Sequence, residues 1–145
     1  MPDRPRLLKQ ETEYSCGPAC LRMVLEAYGI SRTEAELREL TNCSVLGTEP
    51  LNIVGAARGL GFATTGMFTL NLEQLSEKIG VGLYPIVLIR ARLGPDLPRD
   101  WHCVVCTAVS ERKVELLDPW RGELSISIKE FLRDWSRGLT ILLRE

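Results

Sequence analysis

The sequence predicts an α+β fold in which N-terminal helices pack on a C-terminal antiparallel sheet. In the first half of the chain, apolar residues recur at intervals of three and four, the period of helices with a buried face. From Pro85 onward they form continuous or alternating runs, which are typical of strands. The 145 residues are 45% hydrophobic and 26% charged, so we expect a single globular domain, residues 1–145, with its own core.

The first predicted helix covers residues 16–28 and is apolar on most of its faces. Pro18 suits its first turn and Gly29 suits its C-terminal cap. Residues 31–34, Ser-Arg-Thr-Glu, have the form of a capping box that opens a second helix to about Leu40. Three more helices are predicted: about 50–61, with Leu51, Val54 and Ala57 facing inward; about 72–79; and one through Trp135, opened by a capping box from Ser127 to Glu130.

The strands are predicted in the second half of the chain. Residues 85–89 form a continuous apolar run, as in a strand that is buried on both faces. Residues 93–98 are predicted to be a loop and residues 118–122 a turn. The other predicted strands are residues 101–109, 113–118 and 139–143.

The loop between the predicted strands 101–109 and 113–118 decides whether His102 and Asp118 can lie on the same face of the sheet. Side chains alternate between the faces of a sheet, so a two-residue loop would place these two residues on opposite faces. A three-residue loop, 110–112, places His102 opposite Trp120 and makes Asp118 its diagonal neighbour on the same face, roughly 7–8 Å away between backbones. We therefore expect a three-residue loop if His102 and Asp118 act together.

Composition and charge exclude several classes of function. A net charge of −1, with basic residues scattered singly, provides no electrostatic footprint for nucleic acid or an anionic membrane. The N-terminus lacks the apolar run of a signal peptide, and no stretch approaches the roughly eighteen apolar residues of a membrane span. The five cysteines lack the pattern of a secreted disulfide framework, so we expect reduced thiols and a cytoplasmic protein.

Cys16 is the candidate nucleophile because it begins the first predicted helix. Unpaired N–H groups and the positive end of the helix dipole stabilise a thiolate there and lower its pKa. Gly17 follows it, and a residue without a side chain lets a substrate approach the thiolate closely. On position alone, a small buried core cysteine remains the alternative.

His102 is the only histidine and therefore the only candidate imidazole base. Asp118 lies sixteen residues later, at the end of the next predicted strand. Taken alone, these are also what a structural histidine and a turn aspartate before proline look like. A cysteine nucleophile needs a base, the base needs an orienting group, and the developing oxyanion needs a donor. Cys16, His102, Asp118 and Gln10 supply one residue for each role, which indicates a cysteine peptidase.

Three motifs carry a resemblance to a known family. Gln10 precedes Cys-Gly-Pro-Ala (16–19) by five intervening residues, His102 opens a His-x-Val-Val segment, and Leu-Asp-Pro (117–119) precedes a glycine and a Glu-Phe helix. In order and spacing, from Gln10 to about Trp135, they resemble the bacteriocin-processing peptidase family. Its members are papain-like cysteine peptidases that cut peptide leaders after a double glycine and are often fused to ABC exporters.

The resemblance implies a papain-like fold and a role for each residue that matches the family motifs. Cys16 matches the nucleophile, His102 the base, Asp118 the orienting group and Gln10 the oxyanion-hole donor. It also implies a leader-peptide substrate cut after small residues such as Gly-Gly or Gly-Ala, bound in a surface groove, and no cofactor. The region from 41 to 70 is where we expect the residues of that groove. No transporter follows in this sequence, so we expect any ABC exporter partner to be a separate chain.

Two positions depart from the family pattern. Ser15 stands where an aspartate often precedes the cysteine, and Cys103 stands where an aromatic or aliphatic residue often follows the histidine. Two other functions on the same fold also remain open: a module that binds a peptide without cutting it, and a papain-like acyl transferase that uses the same residues.

A zinc site is the main alternative outside this fold, with Cys16, Cys20, Cys103 and Cys106 as ligands. Residues 104–105 are both valine and provide no tight turn between the last two cysteines, which in a strand would point to opposite faces. We therefore expect no metal. The cysteines other than Cys16 are predicted to serve packing, and they are Cys20, Cys43, Cys103 and Cys106.

Overall fold

The computed structural model describes residues 2–96 and 98–145, with the main chain alone for Ser136. It confirms the predicted α+β class, and within the described residues no helix is long and apolar enough to cross a membrane. The helices are α1 (Cys16–Ala27), α2 (Glu34–Leu40), α3 (Pro50–Gly59), α4 (Leu72–Gly80) and α5 (Ile128–Asp134). The strands are β1 (Gly66–Thr69), β2 (Ile86–Ala91), β3 (Asp100–Val109), β4 (Lys113–Asp118), β5 (Gly122–Ser127) and β6 (Leu139–Leu142).

The six strands form one sheet in the order β1-β6-β2-β3-β4-β5, and every neighbouring pair is antiparallel. The sequence did not predict β1 or β5, the two edge strands. β1 is only four residues long, and β5 alternates half-buried and exposed residues, so neither is a long apolar run. Leu97, in the predicted 93–98 loop, lies outside the described residues, and the rest of that loop joins β2 to β3 without helix or strand.

Helices cover both faces of the sheet. α1, α2 and α3 pack on one face, where Ile86 and Leu88 of β2 belong to their core. α4 and α5 pack on the other face, where Val87 and Ile89 point. β2 is therefore buried on both sides, which explains why its sequence is a continuous apolar run rather than an alternating one.

The start of α2 differs from the prediction. The capping box is formed by Thr33 and Glu36 rather than by Ser31 and Glu34: Thr33 Oγ1 accepts a hydrogen bond from the Glu36 N–H at 3.1 Å. Glu34 is the first residue of the helix, and its side chain is buried. The two boxes are equally good as sequence patterns, and the burial of Glu34 selects the later one.

The inward face of α3 is rotated relative to the prediction. Leu51 was expected to face inward, and it is 65% exposed. Ile53 is fully buried in its place, together with Val54 and Ala57, which were predicted correctly. The buried residues of α3 are Ile53, Val54, Ala56 and Ala57, so its buried face begins one turn after Pro50.

The β3–β4 hairpin has the expected register near His102 and Asp118, but a shorter turn and a bulge produce it. Val109 pairs with Val114 and the Ser110 N–H bonds to the Lys113 carbonyl at 2.9 Å, so the turn is shorter than the predicted three-residue loop. The register then shifts at Thr107, between Cys106 and Ala108. Beyond this bulge Val105 faces Leu117, the pairing that the three-residue loop would have produced.

Candidate active site

The N-terminus of α1 positions Cys16. Residues 17–21 of the helix are buried against the sheet and α3, while Cys16 itself is half-buried. Ser15 is the N-cap residue, but its hydroxyl accepts no hydrogen bond from the first turn of the helix. The N–H groups of that turn therefore have no side-chain cap. Unpaired N–H groups beside a cysteine favour the thiolate.

Gly17 is buried next to Cys16, and its surroundings explain the glycine. A Cβ at this position would lie 2.9 Å from Ile53 Cδ1 and 3.4 Å from Thr48 Cβ, so the Ile53 side chain would have to shift to accommodate it. Packing against α3 therefore favours glycine at residue 17. The contact with substrate that the sequence suggested stays a prediction.

His102 and Asp118 meet as the parity argument expects. His102 Nε2 lies 2.7 Å from Asp118 Oδ1, and both side chains are almost fully buried. His102 is near the start of β3 and Asp118 ends β4, so the bulge at Thr107 is what brings them to the same face. With Nε2 bonded to the carboxylate, Nδ1 is the ring nitrogen left for the nucleophile.

Three further donors hold the Asp118 carboxylate. The Trp120 and Arg121 backbone N–H groups donate to Oδ1 at 2.8 and 3.0 Å, and the Arg121 guanidinium Nε donates to Oδ2 at 2.6 Å. Sequence reasoning missed Arg121, although the Asp-Pro turn is a signal for backbone bonds to the aspartate. Burial raises the pKa of Asp118, but the bonds from His102 and Arg121 outweigh it and hold the pKa well below the ordinary range.

The Cys16 thiol and the His102 ring are near enough to shift each other's pKa. Burial lowers the pKa of His102, but hydrogen bonding and charge interaction with Asp118 and Cys16 raise it to about 9. The nearby Cys103 thiol is the largest cause that holds the pKa of Cys16 well below its ordinary value; burial opposes this effect, and His102 adds to it. This arrangement favours a thiolate–imidazolium pair at neutral pH.

Gln10 is tied to the same region by its backbone. Its N–H donates to the Pro119 carbonyl at 2.9 Å, which joins the N-terminal segment to the turn after Asp118. Its side-chain Nε2 donates to the Thr12 carbonyl at 2.7 Å, and one amide hydrogen remains for another acceptor. Gln10 Oε1 is buried and has no hydrogen-bond partner among the described residues.

The remaining cysteines are free thiols. Cys103 belongs to the core on the α1 side of the sheet and Cys106 to the core on the opposite side, as strand alternation predicts. Burial raises the pKa of Cys106 to about 12. Within the described residues, no group of three histidine, cysteine or acidic side chains could hold a metal ion. The contact of Cys103 with Cys16 was not predicted, because a strand residue next to His102 should face away from it.

Comparisons with known proteins agree on one family. A family model described as the peptidase C39 family matches residues 5–145. The lactococcin-G-processing and transport ATP-binding protein LagD of Lactococcus lactis subsp. lactis is 30% identical over 131 residues, which are 90% of this chain and 18% of LagD. An uncharacterized protein of Methanothermobacter thermautotrophicus is 28% identical over 138 residues, 95% of this chain and 88% of that protein. The chain thus spans less than a fifth of the length of LagD.

Solved structures show the same fold. The peptidase domain of Streptococcus ComA, a bi-functional ABC transporter involved in a quorum sensing pathway, has a TM-score of 0.79 and 29% identity, over 97% of this chain and 98% of that one. A double glycine motif protease from an AMS/PCAT transporter, crystallised with the leader peptide, also has a TM-score of 0.79, at 23% identity over 97% and 91% of the two chains. These likenesses confirm the predicted papain-like fold.

Proposed function

Because the chain belongs to the peptidase C39 family, we propose that it is a cysteine peptidase with Cys16 as nucleophile, His102 as base and Asp118 as orienting group. The observation that carries the proposal is the buried His102–Asp118 pair, 2.7 Å apart, beside the thiol at the N-terminus of α1. The lowered pKa of the thiol and the raised pKa of the ring support it, since a thiolate and an imidazolium are the reactive forms.

The proposed reaction has two stages. The Cys16 thiolate attacks the scissile carbonyl carbon, and a carbon–sulfur bond forms as the carbonyl electrons move to oxygen. The oxyanion collapses, the carbon–nitrogen bond breaks, and the His102 imidazolium gives its proton to the leaving amine. Water then attacks the resulting thioester while the neutral His102 accepts a proton, and thiolate release regenerates the ion pair.

We propose that Gln10 and the Cys16 backbone N–H stabilise the oxyanion. The Gln10 amide has a spare hydrogen, and its backbone bond to Pro119 keeps it beside the turn that holds Asp118. Loss of one such donor costs about 10²–10³ in rate in other acyl-transfer enzymes. We expect Gln10→Ala to lower kcat by about that factor while the Cys16 thiol still reacts with iodoacetamide, which forms no oxyanion.

The proposed substrate is a leader peptide cut after small residues such as Gly-Gly or Gly-Ala. LagD is named for processing lactococcin G, and the chain shares 30% identity with it. We propose an ABC exporter as the partner and the cytoplasm, where free thiols stay reduced, as the location. Gly17 remains the proposed small residue on the substrate side of the nucleophile, and residues 1–145 the proposed single domain.

A groove suited to the leader lies between α3 and β1. It encloses about 610 Å³ and includes the apolar side chains Leu51, Val54, Met67 and Phe68, all within the 41–70 region that the sequence indicated. An amphipathic leader helix would place its apolar face there. We expect Leu51→Glu to raise KM for a full leader and to leave kcat unchanged. The matched control is Val81→Glu, at another exposed apolar residue.

Cleavage of a leader-peptide library tests the proposal. Gly-Gly and Gly-Ala leaders and bulky controls are offered to the wild type, to Cys16→Ala and to Cys106→Ala as a matched cysteine control. We expect Cys16→Ala to abolish cleavage and Cys106→Ala to retain it. Full cleavage by Cys16→Ala would refute the assignment, and equal cleavage after bulky residues would refute the small-residue preference alone.

The same experiment separates the other functions on this fold. A module that only binds peptides would retain the leader without product in the wild type. An acyl transferase would form more amide than free acid when amine acceptors are added to the thioester stage. Either result would contradict the peptidase proposal and leave the fold assignment intact.

A further inference from the structure

Glu34 brings a buried carboxylate to the segment that joins Gln10 to Cys16. Its side chain is 1% exposed. Oε1 accepts a hydrogen bond from the Glu11 backbone N–H at 3.0 Å, and Oε2 accepts one from the Ser15 hydroxyl at 3.2 Å. The carboxylate therefore holds both ends of the loop before the nucleophile.

The contacts continue from Ser15 to the Gln10 amide. The Ser15 hydroxyl oxygen accepts hydrogen bonds from the Thr12 N–H at 3.2 Å and from the Thr12 hydroxyl at 2.7 Å. The Thr12 carbonyl oxygen in turn accepts the hydrogen bond from Gln10 Nε2 at 2.7 Å. One connected network thus runs from Glu34 to the proposed oxyanion donor.

Two groups donate hydrogen bonds to the Glu34 carboxylate, the Glu11 N–H and the Ser15 hydroxyl. The Arg38 guanidinium forms an ion pair with it, with Nε 3.7 Å from Oε2. A carboxylate suits them because it only accepts hydrogen bonds when ionised. A glutamine is uncharged and has one acceptor oxygen instead of two. It would lose the ion pair with Arg38 and either the bond from the Glu11 N–H or the bond that the Ser15 hydroxyl donates.

We propose that Glu34 is a positioning residue for the oxyanion hole: its carboxylate fixes the loop between Gln10 and Cys16 and thereby sets where the Gln10 amide stands relative to the nucleophile. The proposal rests on the proposed function, in which Gln10 stabilises the oxyanion. Glu34 touches neither substrate nor reacting atoms, so it acts through the loop.

A double-mutant cycle tests this coupling. The leader-cleavage kinetics of the wild type, Glu34→Gln, Gln10→Ala and the double variant are compared, with Glu39→Gln, an exposed glutamate of α2, as control. We expect Glu34→Gln to lower kcat about 10- to 100-fold, the effect of displacing a catalytic group by roughly 1 Å. In the Gln10→Ala background the same substitution should change kcat by less than about twofold, because the donor it positions is already absent.

A purely structural role gives a different result. If Glu34→Gln lowers kcat by the same factor with and without Gln10, it acts on the protein as a whole and the proposal is overturned. Unchanged kcat in Glu34→Gln also overturns it. The rate of Cys16 alkylation by iodoacetamide should stay at the wild-type value, and a parallel loss of alkylation would show that Glu34 acts on the thiolate instead.

Ser15→Ala keeps the test decisive if Glu34→Gln does not fold. It deletes one hydroxyl of the same network, and the same cycle with Gln10→Ala applies, with the same two overturning outcomes. The cycle also distinguishes failure of this proposal from failure of the proposed function. A wild-type kcat in Gln10→Ala would refute both the oxyanion role of Gln10 and the positioning role of Glu34. A lowered kcat in Gln10→Ala, with Glu34→Gln lowering kcat by the same factor in both backgrounds, would refute only the positioning role.

Discussion

Replacing Asp118 by asparagine should lower the pKa of His102 and disrupt its ion pair with Cys16. Asparagine has nearly the shape of aspartate, so it removes the negative charge beside the ring with little change in side-chain volume. With its carbonyl oxygen in the place of Oδ1, its NH₂ group takes the place of Oδ2 and loses the bond from Arg121. Burial alone lowers the pKa of His102, and the interactions with Asp118 and Cys16 raise it. Removing one of these two partners should therefore lower the pKa.

The size of the change follows from the structure. The pKa of His102 is about 9, against an ordinary value of 6.5. The difference corresponds to roughly 3 kcal/mol in favour of the imidazolium, at about 1.4 kcal/mol per pKa unit. A carboxylate at hydrogen-bond distance typically accounts for about 1–3 pKa units. We therefore expect a midpoint of roughly 6–8 for His102 in Asp118→Asn.

The single histidine makes the assay direct. With ¹⁵N-labelled imidazole, an NMR titration reports His102 alone, because the chain contains no other imidazole. The rate of Cys16 alkylation by iodoacetamide, measured over the same pH range, reports the thiolate. A lower pKa of His102 weakens the positive charge beside Cys16, so the alkylation profile should move to higher pH.

Asp134→Asn is the matched control. Asp134 is another buried carboxylate, but it pairs with Arg99 and Arg133 rather than with His102 or Cys16. We expect its substitution to leave the titration of His102 unchanged. A titration midpoint in Asp118→Asn equal to that of the wild type would refute the argument, since it would show that the carboxylate does not stabilise the imidazolium.

Three further predictions concern residues around the same site. Cys103→Ala should raise the pKa of Cys16 and shift its alkylation profile to higher pH, while Cys103→Ser, which keeps a donor, should not; equal profiles for both would contradict the effect of the Cys103 donor on Cys16. Gly17→Ala should lower the free energy of unfolding in urea by about 1–3 kcal/mol, because its Cβ would lie 2.9 Å from a side chain of α3; unchanged stability would show that α3 can shift. Arg121→Ala should cost about 1–2 kcal/mol in the same assay, a reduced value because its side chain is 34% exposed and water can replace part of its contact with Asp118. A loss below a few tenths of a kcal/mol would contradict that contact.

The sequence predicted the elements whose signals are local. The bounds of β4 were predicted exactly as observed, and α1 and α4 to within one residue, because apolar periodicity and capping residues identify a helix or strand from its own residues. The start of α5 has the same explanation, since Ser127 accepts a hydrogen bond from the Glu130 N–H as its capping pattern predicts. The candidate functional residues follow from the particular side chains that a nucleophile, a base and an orienting group require, and their roles stay a prediction.

The tertiary structure decided what those residues touch. The edge strands form because a neighbouring strand pairs with them, and their own sequences lack a strong strand pattern. The bulge at Thr107 compensates for the shorter hairpin turn, and either feature alone would have placed His102 and Asp118 on opposite faces.

What the sequence by itself determined is the α+β class and a set of chemically suitable residues in the right order. What only the tertiary structure decided is their surroundings: the Arg121 guanidinium on Asp118, the Cys103 thiol on Cys16, and the buried Glu34 carboxylate under the loop from Gln10. The physical reason is that burial and charge pairing depend on groups brought together by packing. A glutamate at the start of a helix looks the same in sequence whether water or a backbone N–H meets its carboxylate.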